Sequence, residues 1–234
     1  MNRFFGSVIK PILLSLRVNK IIEIGAYKGE TTIELLEYCK KTGGTLTIID
    51  PLPLFDEDAF TKLYKDCFTL YKKTSLEVLP LIKEYEAVLI DGDHNWYTVY
   101  NELKLIEEKA LSNIQPFPLV ILHDTEWPYG KRDMYYNPTL IPKEYRHPYE
   151  RSGVKQGQSE LVKSHDGING QLNNARFEGG DKNGVLTAIE DFMNDSPLPL
   201  KLFRLHSNNG LGILCQVEEY EENVINYVIN DSKL

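Results

Sequence analysis

Lys20-Ile21-Ile22-Glu23-Ile24-Gly25-Ala26-Tyr27-Lys28-Gly29 is an apolar run that ends in a glycine-bracketed turn, and helical periodicity over Thr31–Lys41 follows it directly. A strand feeding a tight glycine turn and then a helix is the opening unit of an open α/β sheet. The same rhythm repeats downstream. Apolar runs at Thr45–Asp50, Leu70–Ser75, Ala87–Asp91 and Leu119–His123 read as strands. The segments around Ala59–Phe68, Leu76–Lys83 and Asn95–Ala110 read as the helices between them. In the last of these, Trp96, Val99, Tyr100, Leu103, Ile106 and Ala110 keep the i, i+3, i+4, i+7 spacing, and Asp93 or Asn95 can cap its start. The chain closes with Leu200–Leu205, the turn Ser207-Asn208-Asn209-Gly210 and Leu211–Val217, a hairpin signature. The expected fold is therefore α/β: a mostly parallel sheet with an antiparallel terminal hairpin.

Between the fifth strand and the helix resuming at Val185 lie about 55 residues rich in Tyr, Arg, Gly and Pro. Irregular segments of that length in a compact domain are usually a functional lid or disordered, and the aromatics here favour the lid. Residues 126–183 hold nine Lys and Arg against eight Asp and Glu, so the insertion is +1 while the whole chain, 234 residues with 26 Lys+Arg and 34 Asp+Glu, is −8. Four of the seven arginines lie there, interleaved with Tyr129, Tyr135, Tyr136, Tyr145 and Tyr149. Tyr129, Arg132, Tyr136 and Arg146 are the candidate acceptor contacts, since aromatic rings stack on sugars or bases and guanidinium grips phosphate or carboxylate. An oligomer interface is the competing reading of the segment.

The remaining composition excludes several classes. An acidic chain lacks the basic footprint of a nucleic-acid binder. No apolar stretch approaches the roughly 20 residues of a membrane span. Cys39, Cys67 and Cys215 are odd in number and widely spaced, which fits a reducing cytoplasm. The apolar N-terminus is broken by Lys10 and Pro11, and reads as a short helix covering the sheet. The expectation is one domain over residues 1–234, with 126–183 as a lid over the acceptor.

The first turn lacks the G-x-G-x-x-G fingerprint, because Glu23 and Lys28 stand where glycines belong, so a pyrophosphate ligand is disfavoured. A carboxylate at Glu23 instead suits a cationic ligand end, an ammonium or a sulfonium. Asp50, ending the second strand, stands where an acid can accept hydrogen bonds from both hydroxyls of a ribose.

With these residues in place, E-I-G-x-x-x-G after strand one, an acid after strand two and Asp91-Gly92-Asp93-His94 after strand four resemble the class I S-adenosylmethionine-dependent methyltransferases. The His123-Asp124 pair after strand five narrows the likeness to the metal-dependent small-molecule (sugar) O-methyltransferases of the macrocin-type group. The resemblance implies a Rossmann-like sheet of order 3-2-1-4-5-7-6. It also implies a cofactor site of Glu23, Gly25, Tyr27, Gly29, Asp50, Thr74, Ser75 and Asp91.

Asp91 and Asp124 end neighbouring strands about 4.8 Å apart. Two carboxylates so placed repel by roughly 3 kcal/mol at an effective dielectric of 20, which calls for a shared proton or a bound cation. Asp91 and Asp124, with His123, suit Mg²⁺ or Mn²⁺. His94 is the expected general base and Asp93 its competitor or orienting partner; His123 could instead touch the acceptor or be the base itself. The expected activity is O-methylation of a sugar, or of a phosphorylated or nucleotide-linked sugar, of surface polysaccharide or glycosylated metabolites. The alternatives are a metal-independent methyltransferase with a histidine base and a non-catalytic cofactor-binding subunit of a glycan-assembly complex. A homo-oligomer fits either.

Overall fold

A computed structural model describes residues 1–234. The apolar runs pair as β1 (Lys20–Ile24), β2 (Thr45–Ile49), β3 (Phe68–Tyr71), β4 (Ala87–Ile90), β5 (Leu119–His123), β9 (Lys201–Leu205) and β10 (Leu211–Cys215). Their order in the sheet is β3-β2-β1-β4-β5-β10-β9. The first five strands are parallel, and β10 runs antiparallel to both β5 and β9. With the terminal hairpin as the last two strands this is the Rossmann-like methyltransferase order expected from the sequence.

Alternation along β1 sets the two layers. Ile21 joins the cluster formed with α2 (Glu30–Thr42), α7 (Glu219–Ser232) and the N-terminal segment, whereas Ile22 and Ile24 face α5 (Trp96–Asn113) and α6 (Val185–Asp195) on the other side. The N-terminal cover begins as a 3₁₀ turn over Asn2–Phe4, passes through a π-helical turn over Phe5–Ile9 and becomes α1 over Lys10–Ser15, burying Phe4, Phe5, Val8 and Ile9. All three cysteines are free thiols. No helix is long and apolar enough to cross a membrane.

Three boundaries differ from expectation. β3 lies at Phe68–Tyr71 rather than Leu70–Ser75, because Thr74 opens a helix: with Glu77 it forms a capping box. That helix, α4, covers only Ser75–Val78 and tightens into a 3₁₀ turn at Leu79–Leu81, where Pro80 stops it, instead of continuing to Lys83. The helix expected around Ala59–Phe68 is α3, Glu57–Tyr64, capped by Asp56. Of the two candidate caps for α5, Asn95 takes the role, its side chain accepting from the Thr98 amide.

The long insertion is ordered rather than irregular. It contains a second antiparallel sheet of three short strands, β6 (Met134–Tyr135), β8 (Asn173–Ala175) and β7 (Tyr149–Arg151), in the order β6-β8-β7. Isolated bridges Gly153–Val162 and Val154–Ile168 extend it.

Candidate active site

The site lies at the carboxyl ends of β1, β2, β4 and β5, where the parallel order opens a crevice. Gly25 leaves β1 with φ +86°, and a Cβ there would stand 2.4 Å from the Asp91 carbonyl oxygen and 2.5 Å from Gly92 Cα. Only glycine permits this approach of the β1 turn to the end of β4. Gly29, φ +81°, then starts α2. The turn between them is pinned by Asp50. Its Oδ2 accepts from the amides of Ala26 (2.9 Å) and Tyr27 (2.8 Å), and its Oδ1 from Leu52 (2.8 Å). Asp50 thus shapes the loop at the carboxyl end of β2. Tyr27 is exposed beside it. Glu23 is buried at the base of the loop, and its Oε2 has no partner. Burial, with the Asp91 and Asp50 charges adding to it, pushes its pKa up to about 8 against a smaller lowering influence of the nearby Thr32 hydroxyl. An unpartnered acid held ready in a buried turn is suited to receiving a cation.

On the far rim, Thr74 is engaged with Glu77 and half-buried, while Ser75 is buried. Glu102 of α5 lies behind Ser75, fully buried, with both oxygens unpartnered; burial pushes its pKa up to about 8.

Across Gly25, four side chains form one acidic cluster. Asp124 Oδ2 is 2.7 Å from His94 Nε2 and 2.9 Å from His123 Nδ1, and His123 Nδ1 is also 3.2 Å from Asp91 Oδ1. The ligand-type atoms of Asp91, His123 and Asp124 lie within 4.8 Å of one another. Asp124 sits in the left-handed region, φ +57°, a conformation that aspartate tolerates. Burial opposes its charge, but His94 and His123 hold its carboxyl well below the usual range. Burial would lower His123, yet its hydrogen bonds to Asp124 and Asp91 raise it to about 9. The same contest leaves His94 raised, by the charge and hydrogen bond of Asp124. Asp93 is raised by burial and accepts from Thr98 Oγ1. The α-ammonium of Met1 lies 2.9 Å from Asp91 Oδ2, and the Phe4 ring packs edge-on against His123 at 5.9 Å.

The insertion closes this side of the crevice. The rings of Tyr129 and Tyr136 stand 5.4 and 5.9 Å from the His94 ring, Tyr129 buried and Tyr136 exposed. Tyr129 is fixed by its hydroxyl, which donates to Asn174 Oδ1 (3.2 Å) and accepts from Asn169 Nδ2 (2.8 Å). Arg132, expected to grip the acceptor, is instead fully buried. It donates to the carbonyls of Ala175 (2.5 Å), Ser159 (2.7 Å) and Gln158 (3.4 Å) and lies 3.6 Å from Glu178. Its two terminal nitrogens are spent holding the insertion together, and its Nε is buried without a partner. Arg146 is half-buried after Tyr145, whose ring stacks on Trp96 rather than on the cluster. Asp133, Asn174 and Asn183 carry no sequence signal, yet their buried polar atoms tie the insertion together and, through Asp133, to the start of α5.

Residues 22–125 match the family model described as a methyltransferase domain. No curated protein matches the chain. Among solved structures, the S-adenosylhomocysteine-bound methyltransferase PaMTH1 of Podospora anserina is 14% identical, with a TM-score of 0.55 over 89% of this chain and 77% of that one. A candidate O-methyltransferase of Nostoc punctiforme is 13% identical, with a TM-score of 0.50 over 89% of this chain and 54% of that one. At these identities the likeness bears on the fold. Family match and sheet order agree on the fold: residues 22–125 are similar to a methyltransferase domain, and the sheet has the Rossmann-like methyltransferase strand order.

Proposed function

We propose that the chain transfers the methyl group of S-adenosylmethionine to a hydroxyl oxygen of a small molecule, a sugar or a phosphorylated or nucleotide-linked sugar. The observation that carries this reading is the cluster Asp91–His123–Asp124–His94, one glycine contact away from the cofactor turn. Glu23 receives the cationic end of the cofactor, Asp50 and the Gly25–Gly29 turn hold its ribose side, and Ser75 with Thr74 forms the rim at the adenine. The acceptor oxygen attacks the sulfonium methyl in line. The O–C bond forms as the C–S bond breaks, the electron pair stays on sulfur, and the hydroxyl proton passes to the His94 imidazole at Nδ1, which has no partner, while Nε2–H donates to Asp124.

The donor set fits a divalent cation: two carboxylates and an imidazole converge, and Asp91 remains partly open to the crevice. Asp91, Asp124 and His123 would hold Mg²⁺ or Mn²⁺, whose charge lowers the pKa of a bound hydroxyl. One feature favours a metal-independent reading. His123, raised to about 9, already bridges both carboxylates as a protein-borne cation. Turnover that survives exhaustive chelation selects that reading, and loss restored by Mg²⁺ or Mn²⁺ selects the metal. The insertion is proposed as the acceptor lid, through Tyr129 and Tyr136. Its balance of charge, +1 against −9 for the rest of the chain, favours an anionic acceptor.

The test is a panel of sugars, sugar phosphates and sugar nucleotides offered with S-adenosylmethionine. His94→Ala is expected to lower turnover by about 10²–10⁴-fold. Wild-type turnover in that variant would remove His94 from the chemistry. Calorimetry on Glu23→Ala and Asp50→Ala should show S-adenosylhomocysteine binding lost, and normal affinity in both would overturn the cofactor assignment.

A further inference from the structure

We propose that Asp133, a fully buried residue of the insertion, is the positioning residue that holds His94 against Asp124. The inference rests on the reading of His94 as base, and the two can fail separately. Asp133 Oδ1 accepts from two amides at once: Trp96, the first residue of α5 (2.7 Å), and Gly184, the residue before α6 (2.7 Å). Its Oδ2 accepts from the Tyr135 hydroxyl (2.8 Å), and its own amide donates to Asn183 Oδ1 (2.7 Å). The next residue, Met134, donates its amide to the His94 carbonyl (2.9 Å).

His94 is therefore gripped from the insertion at two points just C-terminal to its Cα. Its carbonyl is held by Met134, and the amide two residues on is held by Asp133. First-turn amides have no partner within their own helix, so the Trp96 N–H needs an outside acceptor where it is buried. A carboxylate facing two helix N-termini also sits favourably in both dipoles. Burial pushes the Asp133 pKa up to about 6, which still leaves the group ionised at neutral pH. Remove the carboxylate, and two buried amides and a tyrosine hydroxyl lose their acceptor. The least costly relief is for residues 93–96 to turn toward solvent, which carries the imidazole away from Asp124 and from Tyr129. The insertion thus both walls the acceptor site and sets the base.

Carbethoxylation of the full-length protein, read residue by residue by peptide mass spectrometry, tests this without a known acceptor. His165 and His206, whose side chains are 77% and 70% exposed, serve as internal standards. In the wild type, His94 should react slowly. In Asp133→Ala it should react about tenfold faster, as expected of a local opening, with S-adenosylhomocysteine affinity within about twofold of wild type. Asp133→Asn keeps an acceptor oxygen toward Trp96 and Gly184, so His94 should stay within about twofold of its wild-type rate. Wild-type reactivity in Asp133→Ala, or equal acceleration in both variants, would overturn the proposal. So would a rise at His94 and His123 together with loss of cofactor binding, which marks general loosening. Should Asp133→Ala not fold, hydrogen exchange in the wild type decides: slow exchange at the Trp96 and Gly184 amides is required, and fast exchange there overturns it. Full turnover in His94→Ala would remove the base while leaving these reactivities as a measure of its placement.

Discussion

The two walls of the crevice are built by different means. The cofactor wall is backbone against backbone, with the β1 turn on the end of β4 and Asp50 closing on three amides. The insertion wall is held by side chains that reach across long sequence distances: Asp133 to Trp96 and Gly184, Arg132 to Ala175 and Ser159, and Asn174 to Ser152. A wall made of strand ends tolerates almost any side chain except at its glycines. A wall made of buried polar side chains depends on each of them, because an unpaired group left inside costs its full desolvation. The two should therefore break independently, one through ligand binding and the other through stability.

The largest effect is expected at Gly25. Gly25→Val adds a branched side chain at positive φ onto the Asp91 carbonyl, and S-adenosylhomocysteine affinity should fall on the order of a hundredfold or more by calorimetry. Near-normal affinity would show that the two strand ends can separate, and the rigid picture of that wall would go. Next comes Arg132→Ala, which leaves buried carbonyls without donors. Chemical unfolding should show a loss of about 4 kcal/mol, or a melting point lower by about 10 °C, with cofactor affinity retained. Loss of affinity alongside stability would mean that the walls are coupled.

A third, pH-dependent effect belongs to Glu102. Its folded pKa of about 8 lies above the reference 4.5, so the folded state keeps a proton that the unfolded state releases within that window. Stability should fall as pH rises from about 4.5 to 8 and level off above, by up to about 1.4 kcal/mol per pH unit for the one group. In Glu102→Gln, urea unfolding at several pH values should give a shallower fall, and an unchanged slope would assign the effect elsewhere. The smallest effect is at the α5 cap. Asn95→Ala should cost about 1 kcal/mol, with no change in cofactor binding.

The same contrast explains what could be read from the chain alone. β1, β2, β4, β5 and the terminal hairpin announce themselves as apolar runs because both faces of a central sheet are covered. Their order, and the grouping of Asp91, His94, His123 and Asp124, followed from where those runs end. β3 was displaced because a Thr-x-x-Glu capping box was read as strand. The strands of the insertion have two or three residues, too few for any period to show. α7 was missed because only Ile225 and Val228 of its 14 residues are buried. Arg132 was misread since its type suits a phosphate, while only the fold shows that three carbonyls already occupy it. Asp133 offered no signal: within Lys-Arg-Asp-Met it looks like an ordinary surface acid, and its acceptors' partners lie 37 and 51 residues away.

The insertion leaves and rejoins the sheet through one stitched seam. The amides of Val185 and Leu186 return to the carbonyls of Tyr129 and Gly130, and Gly184, φ +96°, lies so close that a Cβ would meet the Arg132 amide at 2.5 Å. An element whose two ends meet can be exchanged between proteins without altering the path of what lies on either side. In evolutionary terms the insertion is a cassette: under the function proposed above, the sheet can stay constant while substitution, lengthening or replacement between Tyr129 and Val185 changes the acceptor. Any transplanted cassette would have to bring its own equivalent of Asp133, because α5 relies on the cassette for the acceptor of its first amide.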